Sequence, residues 1–432
     1  METMDVSKRV LINEHEKTLN ILRCYPSVDK SVLAKLRNQS WPTLSTAINK
    51  LVASDILIKN RDNFEVNPDV GWYVGIMAGG AQIKIAIIDF AFKIIPFEKL
   101  NQIFKKYHIF ECGEFRLRAT TDDNKWGYIY FNTPDTYGEL HEKIDSILAQ
   151  IVNMNECLKN EGKSILGIGF AFTGAIDNQK RVIIKAHSLD YLGFNQLDQL
   201  INPDKSEYFI RNGIRICLDH NAKTAAVAEK YALYDKNNIN HFYKDKNNIL
   251  VFYFGSGLGS GLVLDNKIYR GCNNFSGEIG HIPVPCLKKG EKIIEYEKAC
   301  SCGSNTCLEY RIRNDVFEMD LKTFKKQPSD ILRSIIVDNP EKKKLLGEYV
   351  GYALNCTVNV LNVGLVIFTG KWKALSEGND LWNYIYEEVG NISLQYTRSN
   401  CGLILSTYGV LAPVIGAAIC SSYENENEIT WV

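Results

Sequence analysis

Three cysteines, Cys300, Cys302 and Cys307, fall within eight positions, and His281 lies about twenty residues upstream. Thiolates and one imidazole at this spacing are the donor set of a closed tetrahedral zinc site, with Gly303 available for the turn between ligands. Cys286 is a further nearby thiol, and its separation from Cys300 makes it the second choice. Two carboxylates, Glu278 and Glu309, bracket the four ligands in sequence. A zinc knot would fix both in space, as a polyol site requires of its hydrogen-bonding groups. The plainer alternatives are unrelated buried thiols with a satisfied histidine, and carboxylates that start helices or pair with arginines such as Arg311.

A second feature is the run Gly255-Ser256-Gly257-Leu258-Gly259-Ser260-Gly261, between two strand-like segments. Gly255, Gly257, Gly259 and Gly261 let backbone amides approach a phosphate or a sugar, and the same pattern also fits a tight hairpin. Ala78-Gly79-Gly80-Ala81 is a loop of the same type. No GxxxxGK[ST] run occurs, so P-loop nucleotide binding has no support.

The elements that must position these groups fall into three stretches. Residues 1–70 read as helix, helix, turn, helix, hairpin: a winged helix-turn-helix. Leu19 to Cys24 has helical apolar spacing, and Ser31 to Leu36 reads as a short helix with Ser31 as its cap. Pro42 opens the next helix, whose apolar stripe is Leu44, Ile48 and Leu51. That leaves Thr43, Ser45, Thr46, Asn49 and Lys50 on the open face, suited to a major groove. Lys35, Arg37, Lys50, Lys59 and Arg61 could meet phosphates. An ordinary three-helix capping subdomain is the competing reading. From Trp72 the pattern becomes α/β. Residues 71–190 form a first lobe, to which the C-terminal helix is expected to return, and 191–432 form a second lobe carrying the zinc site. Strands are expected at Tyr73–Ile76, Ile83–Ile88, Ile165–Phe172, Ile214–Leu218, Ile249–Phe254, Gly261–Leu264 and Leu365–Thr369, a β-rich insertion at 97–136, and a loose tail after Ser422.

Composition sets the limits. The chain has 432 residues with 45% hydrophobic and 23% charged side chains, enough for two or three well-filled domains. Its net charge is zero, so any nucleic-acid contact must come from a minority module with local charge. The first residues contain no apolar signal core and no run approaches membrane length, so a cytoplasmic protein is expected. In such a compartment most of the cysteines outside the cluster behave as small buried hydrophobes.

Taken together, Glu278-Ile279-Gly280-His281, the Cys300/Cys302/Cys307 cluster with Glu309, the Gly255–Gly261 loop, Gly167-Ile168-Gly169 leading to Thr173-Gly174-Ala175-Ile176-Asp177, and Ala225-Ala226-Val227-Ala228-Glu229 resemble the ROK family of repressors, open reading frames and sugar kinases over nearly the whole chain. The resemblance implies an α/β, actin-like or hexokinase-type (ribonuclease H-like) two-lobed domain with sugar between the lobes. An all-α winged helix-turn-helix domain precedes it, as in the family's xylose- and glucose-type transcriptional regulators. It also implies structural Zn2+ at His281, Cys300, Cys302 and Cys307, and a sugar site at His220, Asn221, Glu278, His281 and Glu309 with Gly79, Gly80 and Gly174 on its loops. The implied partners are double-stranded operator DNA, a sugar or sugar-derivative effector, and further copies in a homodimer or homotetramer, with no membrane.

Three departures fall on the phosphoryl-transfer half. Where the kinases read Asp-x-Gly-Gly-Thr, this chain reads Met77-Ala78-Gly79-Gly80-Ala81. A thioether cannot hold hydrated magnesium, and a methyl cannot bond a phosphate. The aspartate that serves as general base is matched by Asn221, whose amide has no useful basicity, although it still bonds hydroxyls. Adjacent His220 is a remote substitute. Thr369-Gly370-Lys371-Trp372 stands where the kinases have a glycine pair. In the zinc loop, Thr306 replaces a common glycine, which predicts a slightly altered turn. The expectation is a sugar-responsive repressor with a degenerate kinase cleft, the Gly255–Gly261 loop being a relic of phosphate binding. The alternatives are an ATP-dependent sugar kinase and a regulator controlled by a partner protein.

Overall fold

The computed structural model describes residues 6–110, 115–119, 126–186, 189, 191–287, 299–376, 380–392, 399–424, 429 and 431. The N-terminal head contains α1 (Val6–Glu14), α2 (Glu16–Cys24), β1 (Val28–Asp29), α3 (Lys30–Leu36), α4 (Trp41–Ala53), β2 (Leu57–Asn60) and β3 (Asn63–Val66). Its helices close around Leu33 and around Leu44, Ile48 and Leu51, the last three being the apolar stripe expected from sequence. The cap of α3 is Asp29, not Ser31: its carboxylate accepts from Ser31 N at 2.7 Å and Val32 N at 3.0 Å. An ionised carboxylate at a helix N-terminus satisfies the free N–H groups better than a hydroxyl two residues later. The wing is a three-stranded sheet in the order β1-β3-β2, so the all-α description holds for the helices and not for the wing.

Helix α2 is shared between the head and the first lobe. Thr18 to Cys24 are all buried. Arg23 Nε donates to Phe90 O at 3.0 Å, and its guanidinium lies 4.0 Å from the Phe92 ring centroid. A cation stacked on an aromatic face and bonded to a carbonyl is well held without an acid.

The first lobe is built on β4 (Trp72–Ala78), β5 (Gln82–Asp89), β6 (Arg116–Ala119), β7 (Gly127–Asn132), β8 (Ile165–Phe172) and β12 (Arg215–His220). Their order is β12-β8-β4-β5-β7-β6, with β12, β8 and β4 parallel and the rest antiparallel. Helices α5 (Phe97–Tyr107), α6 (Tyr137–Lys159) and α7 (Pro203–Arg211) pack with it, and β9 (Ala175–Asp177), β10 (Val182–Lys185) and β11 (Gly193–Gln196) form a small separate sheet. The expected β-rich insertion therefore opens with a helix: Leu100 and Phe104, four apart, are its buried residues. Residues 111–114 and 120–125 of that insertion lie outside the described residues. The expected division after residue 190 does not coincide with the change of sheet, which comes after His220.

The second lobe carries β13 (Ile249–Phe254), β14 (Leu258–Leu264), β15 (Lys267–Tyr269), β16 (Leu365–Gly370) and β17 (Gly402–Leu405) in the order β15-β14-β13-β16-β17. Each lobe thus pairs an antiparallel hairpin with parallel strands, and each hairpin turn is one of the two glycine loops. Between the sheets lie α8 (Asn221–Ala232) and the last helix, which follows α9 (Leu308–Arg311), α10 (Leu321–Lys326), α11 (Ser329–Val337), α12 (Pro340–Leu361), α13 (Trp372–Ser376) and α14 (Leu381–Ile392) and is α15 (Ala412–Cys420). Helix α15 packs on β4, β5 and β8, returning to the first lobe, and on α8. Alanine dominates this layer because the helices nearly touch: a Cβ on Gly416 would lie 1.7 Å from Thr224 O. Of the tail after Ser422 expected to be loose, residues 425–428, 430 and 432 lie outside the described residues, and the described residues near the end are anchored. Trp431 N donates to Asn266 O at 2.9 Å, and Ile429 and Trp431 are buried. Acidic, polar flanks hid that anchor in the sequence.

Candidate functional site

His281 ends a short 3-10 turn (Ile279–His281), and the cysteines sit on the loop that leads into α9. The four donor atoms of His281, Cys300, Cys302 and Cys307 lie within 4.8 Å of one another. Cys300 Sγ is 3.6 Å from His281 Nδ1, and Cys302 Sγ is 3.9 Å from Cys307 Sγ. A tetrahedron with metal–sulfur bonds of about 2.3 Å and metal–nitrogen bonds of about 2.0 Å has edges of about 3.5–3.8 Å. These residues therefore fit a structural zinc ion, which would tie the His281 turn to the α9 loop. Crowding of the donors has the electrostatic effect a cation would relieve: hydrogen bonding from Cys307 pulls the Cys300 thiol down, and the Cys307 thiol is correspondingly pushed up. Cys286 is exposed and outside the cluster, so it is not a fifth candidate. The left-handed residue of the loop is Gly303 (φ 85°). Thr306 lies outside the left-handed region, as its β-branch favours, and its carbonyl accepts from Val284 N at 2.9 Å.

The knot does hold two carboxylates. Glu309, in the first turn of α9, is buried, and its Oε2 accepts from Leu258 N at 2.7 Å. A Cβ on residue 257 would come within 2.3 Å of that oxygen, so glycine is required there. Burial pushes the Glu309 carboxyl up to about 7. Glu278 Oε2 lies 3.9 Å from His281 Nε2, the ring nitrogen opposite the metal-facing one. Neither carboxylate is spent on Arg311, whose Nη1 instead faces Asp315 at 3.6 Å.

From the other side, β12 delivers His220 and α8 delivers Asn221. His220 caps α8: its Nδ1 accepts from Ala222 N at 3.3 Å, which leaves the proton of a neutral ring on Nε2. Behind it Asp219 Oδ2 meets Arg270 Nη1 at 2.6 Å, both side chains buried. These residues converge on one interlobe cleft, lined by Thr173, Gly174, His220, Asn221, Tyr253 and Glu278 among others, with His281, Glu309 and Gly257 on the knot side. Of the expected sugar-site residues, Gly79 and Gly80 do not line it, because their turn is drawn against Thr133 (Thr133 Oγ1 to Gly79 O, 2.6 Å). Within the glycine loop Ser256, Gly257, Leu258 and Gly259 line the cleft, and Gly255 and Gly261 do not; the loop is a tight hairpin in which Phe254 pairs with Leu258.

Sequence reasoning missed Tyr253, Ser301 and Lys325 in the lining, the Asp219–Arg270 pair, and Lys223, buried with its Nζ donating to Asn274 O at 2.7 Å. Tyr253 is masked by a continuous apolar strand, and Lys325 by the lysine-rich run of α10. On the head, Thr43, Thr46, Asn49 and Lys50 are exposed on α4, whereas Ser45 is half-buried and its hydroxyl turns back to Pro42 O at 2.9 Å.

A family model described as "ROK family" matches residues 130–423. The xylose repressor of Bacillus subtilis (strain 168) is 25% identical over 432 residues, 96% of this chain and 96% of that protein. A putative xylose repressor of Caldicellulosiruptor sp. (strain Rt8B.4) is 22% identical over 294 residues, 66% of this chain but only 59% of its own length. Among solved structures, a ROK family transcriptional regulator, a homologue of the E. coli MLC protein, superposes with a TM-score of 0.64 at 15% identity over 96% of both chains. A ROK family glucokinase from Streptomyces griseus, solved with glucose and AMPPNP, gives 0.53 at 18% identity over 81% of this chain and 98% of its own. These likenesses establish the two-lobed fold. Among the described residues no helix is long and apolar enough to cross a membrane.

Proposed function

The chain belongs to the ROK family, and from that premise we propose that it is a transcriptional regulator that binds a sugar between its lobes and has lost kinase chemistry. Glu278, Glu309, Asn221 and His220 bond the ligand's hydroxyls. His281 serves the zinc through Nδ1 and turns Nε2 toward Glu278, so metal, carboxylate and ligand are coupled. Zinc, when bound, supplies structure only. The exposed Thr43, Thr46, Asn49 and Lys50 of α4, with Ser45 beside them, enter the major groove of operator DNA as part of a dimer or tetramer.

The observation that carries this reading is helix α8. Its first residues, His220 and Asn221, line the cleft. Its other end meets the head: Tyr234 packs on Tyr25 with ring centroids 5.3 Å apart, and Tyr231 packs at 5.2 Å on Phe92, which also carries the Arg23 guanidinium. A helix that reaches both sites can bias both, provided the ligand binds one arrangement more tightly than the other. The asparagine at the base position and the thioether at Met77 are the support for lost catalysis.

The test is thermal unfolding of the zinc-loaded protein against D-xylose, D-glucose and other monosaccharides, with and without ATP and magnesium. A saturable shift with a sugar and none with ATP-magnesium is expected. A shift with ATP-magnesium together with sugar turnover would return the kinase reading, and silence across the panel would move the regulator to control by a partner protein.

A further inference from the structure

Helices α1 and α2 meet at a break, His15 (ψ 18°), and are held to the molecule by different means. Thr18 to Cys24 of α2 are all buried. Of Lys8–Glu14 in α1 only Ile12 is buried; Leu11 is half-buried and Val10 is exposed. Apolar burial therefore fixes α2 and does little for α1, a helix too short to stand alone. Hydrogen bonds fasten α1 instead. Arg9 Nη1 donates to Gly213 O, just ahead of β12, and Arg9 Nη2 donates to Ile165 O, at the start of β8, at 3.4 Å. In the other direction Arg215, on β12, donates through Nη2 to Asn13 Oδ1 of α1 and through Nη1 to Ser422 O beyond α15. Arg9 and Asn13 are four apart and share one face of α1. The helix and the lobe thus each send an arginine across to the other.

Gly213 sits in the left-handed region (φ 59°), and a Cβ there would lie 2.9 Å from Arg9 Nη1, so the missing side chain is the room the guanidinium uses. A cavity of about 50 Å³ remains between helix and lobe, with Arg9, Ile12 and Asn13 on one wall and Tyr73, Leu166 and Arg215 on the other. A helix laid over a cavity gains little packing at that point. The acceptors of the four bonds are neutral carbonyl and amide oxygens. Among the described residues the carboxylate in ion-pair range is Glu424, whose Oε1 is 3.9 Å from Arg215 Nη2 and whose side chain is mostly exposed. Such bonds are strong enough to fasten a short helix, and water can replace them at modest cost.

From this arrangement we infer that α1 is a releasable strap, fastened over the first lobe by the reciprocal Arg9 and Arg215 clasp and able to open while α2 stays docked. What lies at its two ends gives release a consequence. The clasp is at the start of β12, and six residues later that strand ends at His220 in the cleft lining. The other end of the strap is His15, whose imidazole is pulled down by burial and, to a lesser degree, by Lys50 of α4 and Arg37. The strap therefore joins the strand that delivers His220 to the helix junction beside Lys50. Its existence rests on hydrogen bonds and burial alone; its use in controlling the DNA-facing helix rests on the regulator reading.

Amide hydrogen exchange of the full-length zinc-loaded protein tests the strap with neither DNA nor sugar present. In the wild type the amides of Val10 to Glu14 should exchange at least about tenfold faster than those of Leu22 to Cys24, because α1 opens by itself. Arg9→Met and Arg215→Met keep most of the side-chain stem and remove the donors. Each should speed exchange in α1 by a further factor of about ten, the worth of one charge-assisted hydrogen bond, with α2 exchange and zinc content unchanged. Equal protection of α1 and α2 in the wild type would mean that α1 opens only with the whole head, and would overturn the strap. So would α1 exchange that neither variant alters, or a rise in α2 equal to that in α1. Silence across the sugar panel would strike the regulator reading and leave these exchange rates as they are, so the two failures are told apart.

Discussion

The two ends of the cleft are made differently. Around the His281, Cys300, Cys302 and Cys307 cluster the polar groups have protein partners: Glu309 meets Leu258 N–H, Asp219 meets Arg270, His220 meets the first turn of α8, and the four donor atoms of the cluster lie close enough together to hold a metal ion. Across Tyr253, the end formed by β4, β5 and Lys371 presents a thioether and two lysines with no acid to answer them among the described residues. A site that must recognise a neutral polyol has to hold its bonding groups still, so its supporting bonds are complete before the ligand arrives. A site whose groups are left in electrostatic tension is either a remnant or one that waits for charge. Phosphoryl transfer needs both ends at once, with a base at one and a metal at the other; in this chain Asn221 stands at the first end and Met77 at the second.

The strongest test of the ordered end is the metal. Cys307 is fully buried within the knot, and Cys307→Ser replaces a thiolate ligand by a poorer one. Loss of zinc together with on the order of 5 kcal/mol of stability is expected, because metal-binding energy is folding energy here. Zinc content and denaturant unfolding read this together, and a variant with a full equivalent of zinc and wild-type stability would remove the knot from the account. Next in size is Asp219→Asn, which removes the negative partner of a buried arginine, Arg270, at a cost of about 3 kcal/mol. The exposed Lys93–Asp235 pair serves as its control, where Lys93→Met should change stability by less than about 1 kcal/mol. Equal effects at the two pairs would mean that the Asp219–Arg270 contact is not desolvated as described.

The opposite end should announce itself through pH. Lys371 sits near 7 in the folded chain against an ordinary 10.5, so between those values the unfolded chain binds more protons at this residue. Stability must therefore rise with pH across that window, fully penalised below about pH 7 and relieved by about pH 10.5. Because the side chain keeps some contact with solvent, an effect on the order of 1 kcal/mol is reasonable. Thiols and tyrosines titrate in the same range, so the measurement is the difference between wild type and Lys371→Met, with Lys84→Met for its neighbour. If the variant's stability keeps the wild-type slope, the ammonium is not in the environment described.

How much of this was legible in the sequence follows the same divide. The grouping of His281, Cys300, Cys302 and Cys307 and the strand Ile165–Phe172 could be read because their signals are local: fixed spacing, or an unbroken apolar run between turns. Asp29 as the cap of α3 was two residues from the reading, within the usual slack of helix ends. The insertion misled because aromatic and charged residues alternating along 97–107 mimic a strand, while the deciding feature was the four-residue spacing of Leu100 and Phe104. Lys84 and Lys371 were invisible as a pair. They are 287 positions apart (371 − 84), and only the stacking of the two lobes at Tyr253 brings them into one field. Arg270 behind Asp219 was out of reach for the same reason.

The smallest expected effect is also the sharpest for function. Asn221 is buried at the start of α8, in the lining of the cleft, at the position where a general base would stand. Asn221→Asp restores a carboxylate there with almost no change in volume. If the base were the only missing part, a sugar, ATP and magnesium should give turnover, since general-base catalysis alone contributes about 10²–10⁴-fold. The expected result is no detectable phosphorylation, because Met77 still offers magnesium no oxygen, Ala81 offers the phosphate no hydroxyl, and Lys84 repels the metal that would have to enter. Sugar affinity should change only modestly, as an amide and a carboxylate can both accept from a hydroxyl. A coupled assay for ADP release decides the matter. Robust turnover in the single variant would mean that the β4–β5 end retains its phosphate chemistry after all, and that the asymmetry between the two ends of the cleft lies in one atom of Asn221 and not in the residues around Tyr253.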